Sequence, residues 1–122
     1  MAEEKQMTVE EILKMMEKGS GEEPTAMVLM SKLLPEMVPK QAEDRKFVME
    51  LPRIPPKYKH LIMIGVALAA GSPHCAKTHI RIANRAGATK EEIAEAIITA
   101  RFALGSTVFS SAIKGMEYLA ST

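Results

Sequence analysis

The sequence contains no tryptophan, three phenylalanines and two tyrosines, so aromatic residues make up only 4% of it. A core built from this chain must be aliphatic. The supply is ample: hydrophobic residues reach 47% and methionine alone numbers 10, a mixture that allows close helix contact and flexible gap filling. Cysteine is nearly absent. The single Cys75 excludes an intrachain disulfide and fits a reducing, cytoplasmic setting. Charge imbalance is missing too. Sixteen Lys and Arg face fifteen Asp and Glu, for a net charge of +1, which argues against a polyanion partner or a basic substrate. No cluster of Lys and Arg is interleaved with aromatics, so nucleic-acid binding has no support. The longest apolar run, Leu61 to Ala70, is too short to span a bilayer. The N-terminal residues 1–5 (Met-Ala-Glu-Glu-Lys) are polar and acidic, unlike a signal peptide. There is no useful strand alternation, internal repeat or low-complexity tract.

What remains is helix. The 122 residues suit one domain, 1–122, and a chain this short often buries further apolar surface by oligomerising. Thr8-Val9-Glu10-Glu11 reads as a capping box opening a first helix that ends at Gly19. A second helix over about 25–34 is interrupted by Pro35 and Pro39, and a third covers about 38–51. Pro52, Pro55 and Pro56 form a stiff connector. A fourth helix from near Lys57 is apolar all round and reads as the buried helix, closed by Gly71. Ser72 then supplies an N-cap and Pro73 the first position of a fifth helix that ends at Gly87. Thr89-Lys90-Glu91-Glu92 is a second capping box. It opens a sixth helix with Ile93, Ala96, Ile97 and Ala100 on one side, broken at Gly105 and Ser106, and a last helix runs to about Leu119. The fold class expected is all-α, six to seven helices.

The fifth helix carries the chemistry. Residues four apart share a helical face, so Cys75 and His79 are neighbours, and Ile82, Ala83 and Ala86 continue a stripe expected to face the core or a pocket. His74, Thr78, Arg81 and Arg85 form a polar edge beside it. Cys75 lies in the first turn, where the partial positive charge of a helix start favours thiolate. His79 is placed to take the thiol proton or to stabilise the thiolate. Ser72 caps the helix, and His60 begins the helix before it. Plain structural roles exist for each: an inert core thiol, a hydrogen-bonded core histidine at His79, a surface residue at His74, a helix-start cap at His60 and a simple N-cap at Ser72. His74 and Cys75 are adjacent and point in different directions, so no metal site is expected, nor any cofactor.

The run from His60 to Ile98 resembles the carboxymuconolactone decarboxylase and alkylhydroperoxidase D family. The resemblance lies in an apolar helix, a tight turn, a motif helix with Cys-x-x-x-His at Cys75 and His79, and the segment Ala83-Asn84-Arg85-Ala86-Gly87-Ala88-Thr89 continuing through Glu91, Glu92 and Ile93 to Ile97. It implies an all-helical bundle, commonly a trimer or hexamer, with sites near subunit boundaries. One branch of that family uses Cys-x-x-Cys-x-x-x-His with an upstream Glu. There the second Cys and the His correspond to Cys75 and His79, while Ser72 stands at the first Cys and His60 at the Glu. An intrachain dithiol cycle is thereby ruled out, because a serine cannot resolve a sulfenic acid. The decarboxylase branch reads His-x-x-Lys-x-His-Ile-Arg-x-Ala, matched by His74, Lys77, His79, Ile80, Arg81 and Ala83.

Three functions follow from these residues. The favoured one is a thiol-dependent, peroxidase-like antioxidant oxidoreductase with peroxiredoxin-type activity, using Cys75 with His79 and an external thiol reductant. The second is a decarboxylase of a carboxymuconolactone-like lactone acid. In it His74 and His79 shuttle protons, and Arg81 or Lys77 holds a substrate carboxylate. The third is a non-catalytic helical homo-oligomer that binds a small ligand. Neither nucleic acid nor membrane is expected as a partner.

Overall fold

The computed structural model describes residues 6–122, so the reading of residues 1–5 as unlike a signal peptide lies outside the described residues. Among the described residues there are seven helices and no strand, as the all-α reading requires. They are α1 (Val9–Ser20), α2 (Thr25–Leu33), α3 (Met37–Glu50), α4 (Pro56–Ala69), α5 (Pro73–Arg85), α6 (Lys90–Ser111) and α7 (Ile113–Ala120). The chain forms two compact units, Met1–Lys59 and His60–Thr122.

In the first unit, α1, α2 and α3 pack on one another around Ile12 and Val38. The Glu11 N–H donates to the Thr8 hydroxyl at 3.1 Å, forming the N-cap. The helix runs past Gly19 and stops at Gly21, whose φ of 84° lies in the left-handed region; there glycine carries no Cβ penalty. Pro39 does not interrupt α3. It sits in the first turn, where a missing N–H costs nothing. The far end of α3 has no basic residue in its last turn. Lys59 supplies the cation instead. Its buried ammonium donates to the carbonyls of Val48 at 2.7 Å, Met49 at 3.3 Å and Leu51 at 2.6 Å. Helix-end carbonyls lack partners within the helix and carry the negative end of its dipole, so one side chain both caps α3 and fixes the first turn of α4.

In the second unit the core is Ile64, Ala83, Ala88 and Ile93, with Leu61, Leu68, Ile80 and Ile97 packed around it. The sequence expectation that α4 is buried all round is corrected. Ile64 and Ala67 are buried, while Ile62, Val66 and Ala69 are exposed, because only one side of α4 meets α5 and α6. The α4–α5 turn satisfies its own carbonyls: the Gly71 N–H donates to Leu68 and the Ser72 N–H to Ala67, with Gly71 at φ 70°. The second capping box forms in full. The Glu92 N–H donates to the Thr89 hydroxyl and the Thr89 N–H to the Glu92 carboxylate, both at 3.0 Å.

Helix α6 continues through Gly105 and Ser106, against expectation, and ends only at Ser111. The hydroxyls of Ser106 and Thr107 donate back to the carbonyls of Phe102 at 3.1 Å and Leu104 at 2.6 Å, so these residues stay inside the helix. Gly105 costs about 1 kcal/mol of helix propensity, which the length of the helix absorbs. By length and composition α6 is the one described helix long and apolar enough to cross a membrane, and only 6% of its apolar window is buried. Arg101 divides its apolar stretch, so the uninterrupted run is short.

Lys59→Met preserves the aliphatic stem and removes the ammonium. Hydrogen bonds to charged groups contribute about 1.5–3 kcal/mol, so the variant should lose about 2 kcal/mol by chemical denaturation. A loss below about 0.5 kcal/mol, the ordinary range for a surface change, would show that water replaces the ammonium without cost.

Candidate functional site

The site begins at the turn between α4 and α5. Ser72 is extended, with φ −110° and ψ 92°, and its hydroxyl accepts from the Cys75 N–H at 3.3 Å. Pro73 occupies the first helical position, where its fixed φ suits a helix and its absent N–H is not missed. The reading of Ser72 and Pro73 as a helix start is therefore correct to the residue. At the other end, the Ala88 N–H donates to Ala83 at 2.9 Å and Gly87 takes φ 102°. The Asn84 side-chain amide donates to the Ala88 carbonyl at 3.2 Å, tying the end of α5 to the start of α6.

The rotation of α5 differs from expectation. The inward line is Ala76, Ile80 and Ala83: Ala76 and Ala83 are buried, Ala83 completely, and Ile80 packs on the core. Successive helical residues turn by about 100°. His79 therefore lies about 40–60° from the inward direction marked by Ala83 and Ala76. Cys75 lies about 80–140° from that of Ala83 and Ile80. Correspondingly His79 is half-buried and Cys75 is exposed. Of the other residues placed on the inward stripe, Ile82 is half-buried and Ala86 exposed. The physical reason is size: alanines at 76 and 83 let α5 approach closely, which the larger side chains flanking them would prevent. The expected inward-facing thiol is thus corrected to a surface thiol on the flank of α5.

His74 and Lys77 are exposed, about 100° and 160° around the helix from Cys75, while Thr78 and Arg81 are half-buried and Arg85 is exposed. The polar edge exists, with its middle partly covered. His60 is buried, 3% exposed. It lies nine residues before the end of α4, about 14 Å along the axis at 1.5 Å per residue. Cys75 is two residues into α5, about 3 Å from its start, so His60 lies about 10 Å further from the turn than Cys75 does. His79 lies between them, about 6 Å along the axis from Cys75. The Nδ1 atoms of His60 and His79 are both shielded from solvent and take no hydrogen bond at that nitrogen, while each residue engages a neighbour in other ways. Cys75 and His79 thus share one flank of α5, with Ser72 beneath the first turn, while His74, Lys77 and Arg81 lie further around the helix. Among the described residues no three of His, Cys, Asp and Glu converge to hold a metal.

Two surface hollows occur in this unit. One involves Ala94, Glu95, Ile98 and Thr99, the other α4 and α6; neither is lined by Cys75 or His79. The residue that sequence reasoning missed is Lys59, directly before His60 on α4. Its signal is faint: a lone lysine after the Pro55–Pro56 pair, opposite a helix with no basic residue in its last turn.

With this geometry in place, comparison with protein families matches residues 41–117 to the family described as carboxymuconolactone decarboxylase. The match begins inside α3 and takes in all of α4, α5 and α6. It extends well beyond the His60–Ile98 stretch that carries the sequence resemblance. No curated protein matches the chain.

An exposed thiol reacts without unfolding. An aromatic disulfide reagent should titrate Cys75 in the folded protein at close to the rate for the unfolded chain. Protection until denaturant is added would contradict the surface placement. Ser72→Ala should cost about 1 kcal/mol of stability through loss of the cap, read by thermal unfolding.

Proposed function

The chain belongs to the carboxymuconolactone decarboxylase family, and from the exposed thiol at the start of α5 we propose that it is a thiol-dependent oxidoreductase of the peroxidase type. The observation that carries this reading is the placement of Cys75: solvent-accessible, in the first turn of a capped helix, one turn from a half-buried histidine. A peroxide reaches this sulfur without any opening of the fold.

The thiolate attacks one peroxide oxygen and the O–O bond breaks. Sulfur is oxidised by two electrons to a sulfenic acid, and the other oxygen leaves as an alcohol or water after taking a proton, for which His79 is the nearest candidate donor. The position that would supply a resolving thiol holds Ser72, so an external thiol condenses with the sulfenic acid and releases water. A second thiol then reduces the mixed disulfide and regenerates Cys75. His60, buried on α4, serves as a positioning residue in this scheme. The proposed setting is cytoplasmic, where such thiols are abundant.

A second reading rests on the rim of His74, Lys77 and Arg81 along the same helix. These residues suit a carboxylate-bearing lactone, with the histidines moving protons and no role for sulfur. The third, non-catalytic reading makes the same surface a ligand-binding edge.

Mild peroxide followed by a sulfenic-acid trap and mass spectrometry should label Cys75 in the folded protein. His79→Ala should slow labelling by about 10²–10⁴-fold, the usual scale for losing a general acid or base. If Cys75 stays reduced while the protein remains folded, the redox reading fails. A lactone decarboxylation that survives Cys75→Ser and is lost with His79→Ala would establish the second reading in its place.

A further inference from the structure

The chain is close to neutral in total and far from neutral along its length. Residues 51–90 hold seven Lys and Arg and no Asp or Glu, while the rest of the chain holds nine and fifteen. Helix α5 lies inside that stretch. Lys77, Arg81 and Arg85 are its only Lys, Arg, Asp or Glu residues, so every formal charge on it is positive. Three of the four carboxylates of the second unit, Glu91, Glu92 and Glu95, stand at the start of α6, and the fourth, Glu117, is on α7. Cys75 lies ten residues before Arg85, so about 15 Å of helix separates the thiol from the end of α5 that adjoins the first three.

The cations occupy the solvent side of the helix. Ala76 and Ala83 mark the inward direction. At about 100° per residue, His74, Arg81 and Arg85 point within about 30° of the opposite direction, and Cys75 and Lys77 bound that face on its two sides. A molecule that comes to the exposed sulfur across this face meets one sign of charge. The two surface hollows lie elsewhere, so the selective property of this flank is its charge. One-signed fields of this kind raise the encounter rate of the opposite charge by about 10–10³-fold.

We propose that the external reductant of Cys75 is a small thiol bearing carboxylates, drawn to the sulfur by the cationic face of α5. This assignment rests on the thiol-dependent reading of the site. The first thiolate attacks the Cys75 sulfenic acid: an S–S bond forms, the S–O bond breaks, and the oxygen leaves as water after taking a proton. A second thiolate attacks the reductant's sulfur in that mixed disulfide, and the Cys75 thiolate leaves. The two reductants together give up two electrons and depart as their own disulfide. Two anions must therefore meet at one sulfur, and a positive surface offsets their repulsion.

Thiol–disulfide exchange reads the charge preference without any peroxide. Dithiodiglycolate is a dianion, hydroxyethyl disulfide is neutral and cystamine is a dication. Their rates with Cys75 in the folded chain, each divided by the rate with N-acetylcysteinamide, should fall in that order at about 10 mM ionic strength, where screening is weak. The dianion should exceed the dication by at least about tenfold. The gap should close toward about 1 M salt, where the screening length shrinks to about 3 Å. Lys77→Glu combined with Arg85→Glu reverses two exposed charges and should cut the ratio about tenfold, with helicity by circular dichroism unchanged. Lys77→Arg should keep the ratio. After peroxide oxidation, mercaptosuccinate should reduce Cys75 faster than cysteamine by a similar margin, each corrected for its rate on a neutral disulfide. Equal or reversed rates for the charged disulfides overturn the charge assignment and leave the peroxide reaction standing. A preference that survives high salt or the double charge reversal does the same. A Cys75 that no peroxide oxidises, with the disulfides in the expected order, overturns the redox reading and the reductant with it.

Discussion

The complete burial of Ala83 against Ile64, Ala88 and Ile93 governs the orientation of everything functional on α5. A residue with a single methyl group allows two helices to approach as closely as backbone packing permits, and close approach admits only one rotation. With Ala76 and Ala83 inward, His79 falls to the edge of the contact, Cys75 to the open flank and His74 to the surface. The neighbouring core residues Ala88 and Ile93 belong to the turn and start of α6, so the same contact fixes where α6 departs.

That rotation bears directly on chemistry. A thiol on the inward line would be a small core hydrophobe. On the flank it is exposed, which is what the proposed reaction with a peroxide and then a thiol reductant needs. In the proposed redox reaction the absence of a second cysteine makes this access a requirement, because resolution would come from another molecule that must reach the sulfur. Ser72 retains a structural part in this arrangement by holding the first turn through the Cys75 N–H.

Much of this was legible in the sequence. The Ser72–Pro73 start, the Thr89–Glu92 capping box and the glycine stops at 71 and 87 are local chemistry, and local chemistry is written residue by residue. So was the family, through the motif from Cys75 to Ile97. The rotation of α5 was not legible. Cys75, His79, Ile82 and Ala86 make as good a stripe on paper as Ala76, Ile80 and Ala83, and only the partner helix decides between them. The continuation of α6 through Gly105 and Ser106 was hidden because hydroxyls that break helices elsewhere here donate to their own helix. The capping of α3 by Lys59 was hidden for a different reason. It joins residues eight to eleven apart across a proline connector, beyond the reach of periodicity.

The most direct measurement is the stoichiometry of peroxide consumption. A peroxidase with one cysteine and no resolving partner consumes one equivalent per chain and stops when no thiol is present. It then turns over repeatedly once a small thiol is added, and the Cys75→Ser chain does neither. No consumption by the folded, reduced protein, or the same consumption by Cys75→Ser, would contradict the assignment of Cys75 as the nucleophile.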